Sequence, residues 1–230
     1  LFVALPGYGA HEVIVESARH VWRTVDFSVS ELGEVLLVWR ERLNVHRREG
    51  RLVHGSLFKN VGAAGGASIE HAHSQLIVTP TVPTLVAEEL AGSANFFRTH
   101  GRCVYCELVG REVAIGSRVV AEHPGFVVLA PYASRLPLET WIVPRRHASH
   151  FEQTSDVELE ELATTLHASL VTLEEVLEPV AYNLVLHTSP FDTSALGHYH
   201  WHIEIIPRIT KTAGFEWGSG FYVNPLPPEE

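Results

Sequence analysis

The feature that most constrains this chain is an internal repetition of its own sequence. Glu12-Val13-Ile14-Val15-Glu16-Ser17-Ala18-Arg19-His20 and Glu139-Thr140-Trp141-Ile142-Val143-Pro144-Arg145-Arg146-His147 both read as an apolar strand that ends in a basic residue and a histidine. Each is followed by a helical period opened by a capping box, Ser28 with Glu31 and Ser155 with Glu158. Each helix leads to a strand with alternating histidines, His71/His73 in one half and His198/His200/His202 in the other. The separations agree: 51 residues from His20 to His71 and 51 from His147 to His198 (71 − 20 and 198 − 147). A chain built this way folds as a tandem duplication, and repeats of strand, helix and strand pairs give an α+β fold with mainly antiparallel pairing.

Further strands are expected at Phe126 to Leu129, Leu138 to Val143, Tyr182 to His187 and Tyr199 to Ile206. Helices are expected from about Leu85 to Arg98 and from Asp156 to Leu177. The turn-rich Thr79-Pro80-Thr81-Val82-Pro83 divides the repeats, residues 1–82 and 83–230. A Cys103-Val104-Tyr105-Cys106 pair stands 44 residues ahead of His147, and the matching position in the first repeat falls before residue 1. The chain has no methionine, so an upstream segment is expected.

The chemistry is concentrated in His71-Ala72-His73-Ser74-Gln75, preceded by Gly62-Ala63-Ala64-Gly65-Gly66-Ala67-Ser68. Small residues let a backbone approach a phosphate, and strand alternation puts His71, His73 and Gln75 on one face beside that loop. Imidazole next to an anion cradle is a layout for phosphoryl chemistry. A formal charge of −10 argues against nucleic acid as a partner, but Lys59, Arg145 and Arg146 are local cations available to a small anion. No apolar run approaches the roughly 18 residues that span a bilayer. Two cysteines in CxxC spacing point to a reducing, cytoplasmic setting, with metal binding and redox chemistry as their two readings. Isolated histidines, among them His46, His54, His150 and His187, are read as surface residues, and the aromatic Gly214-to-Pro225 tail as either a binding loop or a tight turn.

Asn60, Gly62, Gly66, Ser68, His71, His73 and Gln75 resemble in type and spacing the signature of galactose-1-phosphate uridylyltransferases, the transferase branch of the histidine-triad superfamily. The second half, with its Cys103/Cys106 pair and its tail, resembles the relatives that act on ADP-glucose. The resemblance implies tandem histidine-triad-like repeats, the first carrying the active site, and His73 as a nucleophile that forms a nucleotidyl-histidine. It implies that Gln75, Ser68 and the amides of Gly66 and Ala67 meet the phosphate, that Asn60 meets phosphate or ribose, and that Lys211, Phe215 and Glu216 meet the sugar. Cys103, Cys106, His147 and His198 would bind zinc, with His200 as a replacement for His198, and His20 with His71 would share a second zinc with upstream cysteines. The second repeat, whose Phe191-to-Gly197 loop lacks the glycine run, would have lost catalysis.

The implied activity is uridylyl transfer between UDP-glucose and a hexose 1-phosphate such as galactose 1-phosphate, by a ping-pong route in a homodimer. The alternatives are a nucleotide-sugar phosphorylase acting on ADP-glucose with inorganic phosphate, and a non-catalytic zinc-containing nucleotide-binding module. Hydrolysis is disfavoured by Gln75, which stands where hydrolytic relatives carry a third histidine.

Overall fold

A computed structural model describes residue 4, residues 7–177 and residues 180–230 of the chain. Among these residues eight strands form one antiparallel sheet: β1 (Ala10–Val15), β2 (His54–Val61), β3 (His73–Thr79), β4 (Val119–Glu122), β5 (Phe126–Leu129), β6 (Thr140–Pro144), β7 (Tyr182–His187) and β8 (His202–Pro207). Their order is β1-β3-β2-β7-β8-β6-β5-β4. Among the described residues five α-helices accompany them: α1 (Val29–Glu49), α2 (Thr84–His100), α3 (Val104–Ile115), α4 (Asp156–Val176) and α5 (Gly214–Ser219).

The duplication is visible in the order itself. From the centre outward the sheet reads β2-β3-β1 on one side and β7-β8-β6 on the other, so the halves meet at the β2–β7 pair. That pair runs in register from Leu57 opposite Leu186 to Val61 opposite Tyr182, with Asn60 opposite Asn183. Helices α1 and α4 are each 21 residues long and start 127 residues apart (156 − 29). Both capping boxes form: Ser28 and Ser155 accept from the backbone of Glu31 and Glu158, whose carboxylates accept in return from the cap nitrogens. α1 ends at Gly50 in the left-handed conformation that a glycine reaches without steric cost.

One face of the sheet is covered by α1 and α4. Leu36, Leu43, Leu57, Leu76, Val78, Leu162, Leu170, Leu184 and Ile203 are among the side chains removed from water there. Ser74 is polar on the same face, and it is satisfied by the Trp39 indole N–H at 2.8 Å. In β3 the core side therefore takes Ser74, Leu76 and Val78, which alternation leaves opposite to His73 and Gln75. The other face of the second half is covered by α2 and α3 through Val109, Cys103, Tyr105 and Tyr199.

Edge strand β1 is tied to α1 by ionic contacts. Glu12 accepts from Arg42 at 2.6 and 2.7 Å and meets His46 Nε2 at 2.7 Å. The Arg42 bond is the main cause that lowers the Glu12 carboxyl to about 2, against the opposing effect of burial, with His46 adding to it. A depressed folded-state value means stability present above the unfolded value near 4.5 and lost as pH falls towards 2. Glu12→Gln is expected to cost about 1–3 kcal/mol at pH 7, the range reflecting solvent screening of the half-exposed Arg42, and to flatten the acid limb of the stability curve in that window. Urea unfolding at pH 7 and pH 3 checks this, and an unchanged acid limb contradicts it.

Candidate functional site

The Gly62–Ser68 loop closes the end of β2 in a single 3₁₀ turn, Ala63–Gly65. Gly62 at φ 71° and Gly66 at φ 85° occupy the left-handed region, where a side chain is strained. At Gly65 the constraint is space, since a Cβ would come to 2.8 Å of the Tyr182 carbonyl oxygen. The loop thus packs backbone to backbone against β7. Beside it opens a cavity of about 620 Å³, lined among others by Trp22, Asn60, Ser68, Ile69, His71 and Ala181.

The loop amides point differently from expectation. Gly66 N–H donates to Ala63 and Ala67 N–H to Gly62, because the 3₁₀ turn uses them to close itself. Ser68, exposed at the cavity wall, keeps its N–H and hydroxyl free of protein partners among the described residues. Lys59 does line the cavity but is buried and paired with an equally buried Glu16. Arg145 and Arg146 are engaged with Glu122 and Glu158. The cations expected to attract an anion are therefore neutralised, and neutral donors remain.

His73 is buried on the strand face away from the helices. Its Nδ1 lies 2.7 Å from the His71 carbonyl oxygen. A carbonyl only accepts, so Nδ1 carries the proton in this contact and the Nε2 lone pair is left free. Nε2 has no protein partner among the described residues. His71 itself precedes β3, and its Nε2 meets the Ser17 carbonyl oxygen at 2.7 Å. Gln75 is half-buried, with Oε1 3.0 Å from His11 Nε2. Asn60, Ser68 and His71 line the cavity, whereas His73 and Gln75 stand on β3 next to it, opposite Val15 of β1 and Phe58 of β2, and are not among its lining residues.

In the second half, Cys103, Cys106, His147 and His200 offer donor atoms that lie within 4.8 Å of one another. Cys103 caps α3, which puts Cys106 in its first turn. His147 Nδ1 and His200 Nδ1 stand 3.4 and 3.6 Å from the Cys106 sulfur. The cluster corrects the choice of His198: that residue contributes its carbonyl to the Cys103 thiol at 3.4 Å and turns Nδ1 to Ser93 Oγ at 3.2 Å. β8 begins only at His202, so the preceding loop places His200, two residues further along, where alternation alone puts His198.

The donor set suits a metal ion. Burial, with the neighbouring Cys103 sulfur, pushes the Cys106 thiol up to about 12, and burial with the His147 and His202 charges lowers His200 to about 3. A thiol that resists ionisation and an imidazole that resists protonation are what a bound cation reverses or exploits. His147 Nε2 lies 3.0 Å from the Leu196 carbonyl, an outer contact that fixes the ring for coordination through Nδ1. The second zinc site is not supported. His20 and His71 meet edge-on at 5.4 Å, but among the described residues no third donor joins them.

Sequence reasoning missed a further group, Glu89, His187 and His202, whose donor atoms also lie within 4.8 Å. Burial opposes charge on His187, but bonds to Glu204 and Glu89 raise it to about 10. His46, His54 and His150, expected at the surface, are buried as well. His46 meets Glu12, and His150 Nε2 meets the Pro190 carbonyl oxygen and Thr193, partners that only the fold supplies. Burial lowers His54 to about 4, so it stays neutral. Lys211, Phe215 and Glu216 do not reach the cavity: Glu216 caps α5 by accepting from Ala213 N–H, and Phe215 is exposed.

A duplicated antiparallel sheet with a glycine loop and paired histidines at the start of β3 defines a tandem histidine-triad protein. Residues 1–83 match the galactose-1-phosphate uridyl transferase N-terminal domain and residues 89–216 the C-terminal domain of the same enzymes, and the chain belongs to that family. It is 35% identical over 226 residues to an ADP-glucose phosphorylase of Arabidopsis thaliana, covering 97% of this chain and 63% of the relative. It is 28% identical over 214 residues to a galactose-1-phosphate uridylyltransferase of Haemophilus influenzae, covering 93% and 61%. The chain thus spans somewhat under two thirds of these relatives. A crystal structure of the Arabidopsis thaliana ADP-glucose phosphorylase with bound ADP-glucose superposes with a TM-score of 0.92 at 34% identity, covering 98% of this chain and 72% of that one. A uridylyltransferase structure gives 0.93 at 30%, covering 98% and 74%.

Proposed function

We propose that the chain catalyses nucleotidyl transfer from a nucleotide sugar to a phosphate acceptor through a covalent nucleotidyl-histidine at His73. The observation that carries this reading is the Nδ1 contact to the His71 carbonyl, which leaves the Nε2 lone pair free to act, on a strand that follows the glycine loop in sequence. Nε2 attacks the α-phosphorus in line, the bond from that phosphorus to the bridging oxygen breaks, and the sugar 1-phosphate leaves with the electron pair. The proton stays on Nδ1, and the His71 carbonyl oxygen that accepts it in a hydrogen bond stabilises the positive charge of the substituted ring. A phosphate oxygen of the acceptor then displaces His73. On this reading Gln75, the Ser68 N–H and hydroxyl and the Asn60 amide donate to the phosphate oxygens as charge builds on them, which Ser68, unpartnered among the described residues, and the cavity-lining Asn60 support.

Likeness to the Arabidopsis thaliana ADP-glucose phosphorylase favours ADP-glucose with inorganic phosphate, giving ADP and glucose 1-phosphate, over UDP-glucose with galactose 1-phosphate. Zinc is the ion we assign to Cys103, Cys106, His147 and His200, where four protein ligands close the site and its contribution is structural. Free thiols support a reducing, cytoplasmic setting, and exposed Phe215, Trp217 and Phe221 support a homodimer. Among the described residues no helix is long and apolar enough to cross a membrane.

The test is product analysis with each donor and each acceptor in turn. Glucose 1-phosphate released from ADP-glucose in excess of enzyme only when phosphate is supplied supports the phosphorylase reading. Release from UDP-glucose that depends on galactose 1-phosphate supports the uridylyl reading. Tight nucleotide binding with no release in either case supports the non-catalytic module and overturns transfer.

A further inference from the structure

The cavity-lining Asn60 amide is set from the other repeat. Asn183 stands on β7, directly opposite Asn60 on β2. Its Nδ2 donates to Asn60 Oδ1 at 2.8 Å and to the Gly65 carbonyl oxygen at 2.6 Å. The Gly65 carbonyl has no proton to give, so Asn183 must turn its NH2 to the loop. The same NH2 then meets Asn60, which must answer with its oxygen. Asn60 Nδ2 is left without a protein partner among the described residues, and it lies beside the loop, 3.9 Å from where a Cβ on Gly66 would stand. Asn60 also lines the cavity.

We propose that Asn183 is a positioning residue for nucleotidyl transfer, spending both amide protons to turn the Asn60 NH2 towards the substrate phosphates and to pin the Gly62–Ser68 loop. The inference rests on the reading of His73 as nucleophile given above. Its weight comes from the loop, whose Gly66 and Ala67 amides are used internally and leave few donors for a phosphate. One strand of the second repeat thereby completes the catalytic loop of the first.

The experiment compares wild type, Asn183→Asp, Asn60→Ala and the double variant. The carboxylate introduced by Asn183→Asp offers only acceptors once ionised, so Asn60 reverses and turns its oxygen towards the phosphates. At saturating ADP-glucose or UDP-glucose, the rate of nucleotidyl-enzyme formation is expected to fall about 10²-fold in Asn183→Asp, the scale of one lost transition-state donor. In the Asn60→Ala background the same change is expected to cost only about threefold, because the Asn60 amide is gone and the bond to the Gly65 carbonyl is all that is still lost. Thermal stability controls for a structural role, whose penalty is the same in both backgrounds. Equal losses in the two backgrounds, or an unchanged rate in Asn183→Asp, overturn the proposal. A wild-type chain that forms no adduct with either donor overturns the reading of His73 alone. In that case the affinity for AMP and UMP decides, supporting the proposal if Asn183→Asp weakens it about tenfold only when Asn60 is present, and overturning it otherwise.

Discussion

His73→Asn is expected to abolish nucleotidyl transfer, with a rate loss of at least about 10⁴-fold, while the folded protein and its metal content stay unchanged. The change removes the nitrogen proposed to attack and nothing that the core requires, because His73 points to the face opposite α1 and α4 and is no member of the metal cluster. An Asn side chain at this position keeps the hydrogen bond to the His71 carbonyl, since its NH2 replaces the imidazole Nδ1–H. Transfer through a covalent intermediate has no detour around its nucleophile, so the loss is far larger than that of a single phosphate donor. Steady-state transfer assays, with circular dichroism and metal analysis on the same preparation, check the outcome. Activity within about tenfold of wild type contradicts the assignment.

The second large effect is on stability. Cys103→Ser is expected to remove most of the bound zinc and to lower the midpoint of thermal unfolding by on the order of 10 °C, because metal binding to a closed site is folding free energy. Cys103 sits where three pieces converge: the start of α3, the His147 turn after β6 and the His200 turn before β8. In wild type, chelator treatment should produce the same shift, and in Cys103→Ser it should produce almost none. Zinc content near one equivalent in the variant contradicts the ligand set. His198→Ala serves as the contrast, expected to retain zinc, because the backbone carbonyl it offers to Cys103 survives the substitution.

The legible parts of this fold are those whose signals are local. α1 and α4 announce themselves by capping boxes that close within four residues, and β1, β3, β6 and β8 by apolar alternation. β2 is hard to read although it lies in the middle of the sheet, because Lys59 interrupts its buried face. Only the fold reveals that Glu16, 43 residues earlier, neutralises that lysine. α3 begins at a cysteine with no side-chain cap, so nothing in its first turn marks a helix start. The composition of the tail fits a loop or a turn equally, and part of it is a short helix closed by Glu216.

At the site, the types of residue are readable and their assignments less so. His73 and the glycine loop follow from spacing, since a strand leaving a small-residue turn can present its side chains in few ways. The choice between His198 and His200 depends on where β8 begins, which is set by pairing with β7 and β6 rather than by the residues themselves. The roles of the Gly66 and Ala67 amides turn on a 3₁₀ turn that composition does not display. Asn183 lies in the other repeat, and its contact with Asn60 exists only because β2 and β7 join the two halves.

The central claim is covalent transfer at His73, and intact-mass spectrometry after brief incubation with ADP-glucose or UDP-glucose, without acceptor, tests it most directly. The account predicts a mass gain of one nucleoside monophosphate, mapping to His73, lost on addition of the acceptor and absent from His73→Asn. No adduct from zinc-replete protein with either donor, or an adduct that maps to another residue, contradicts it.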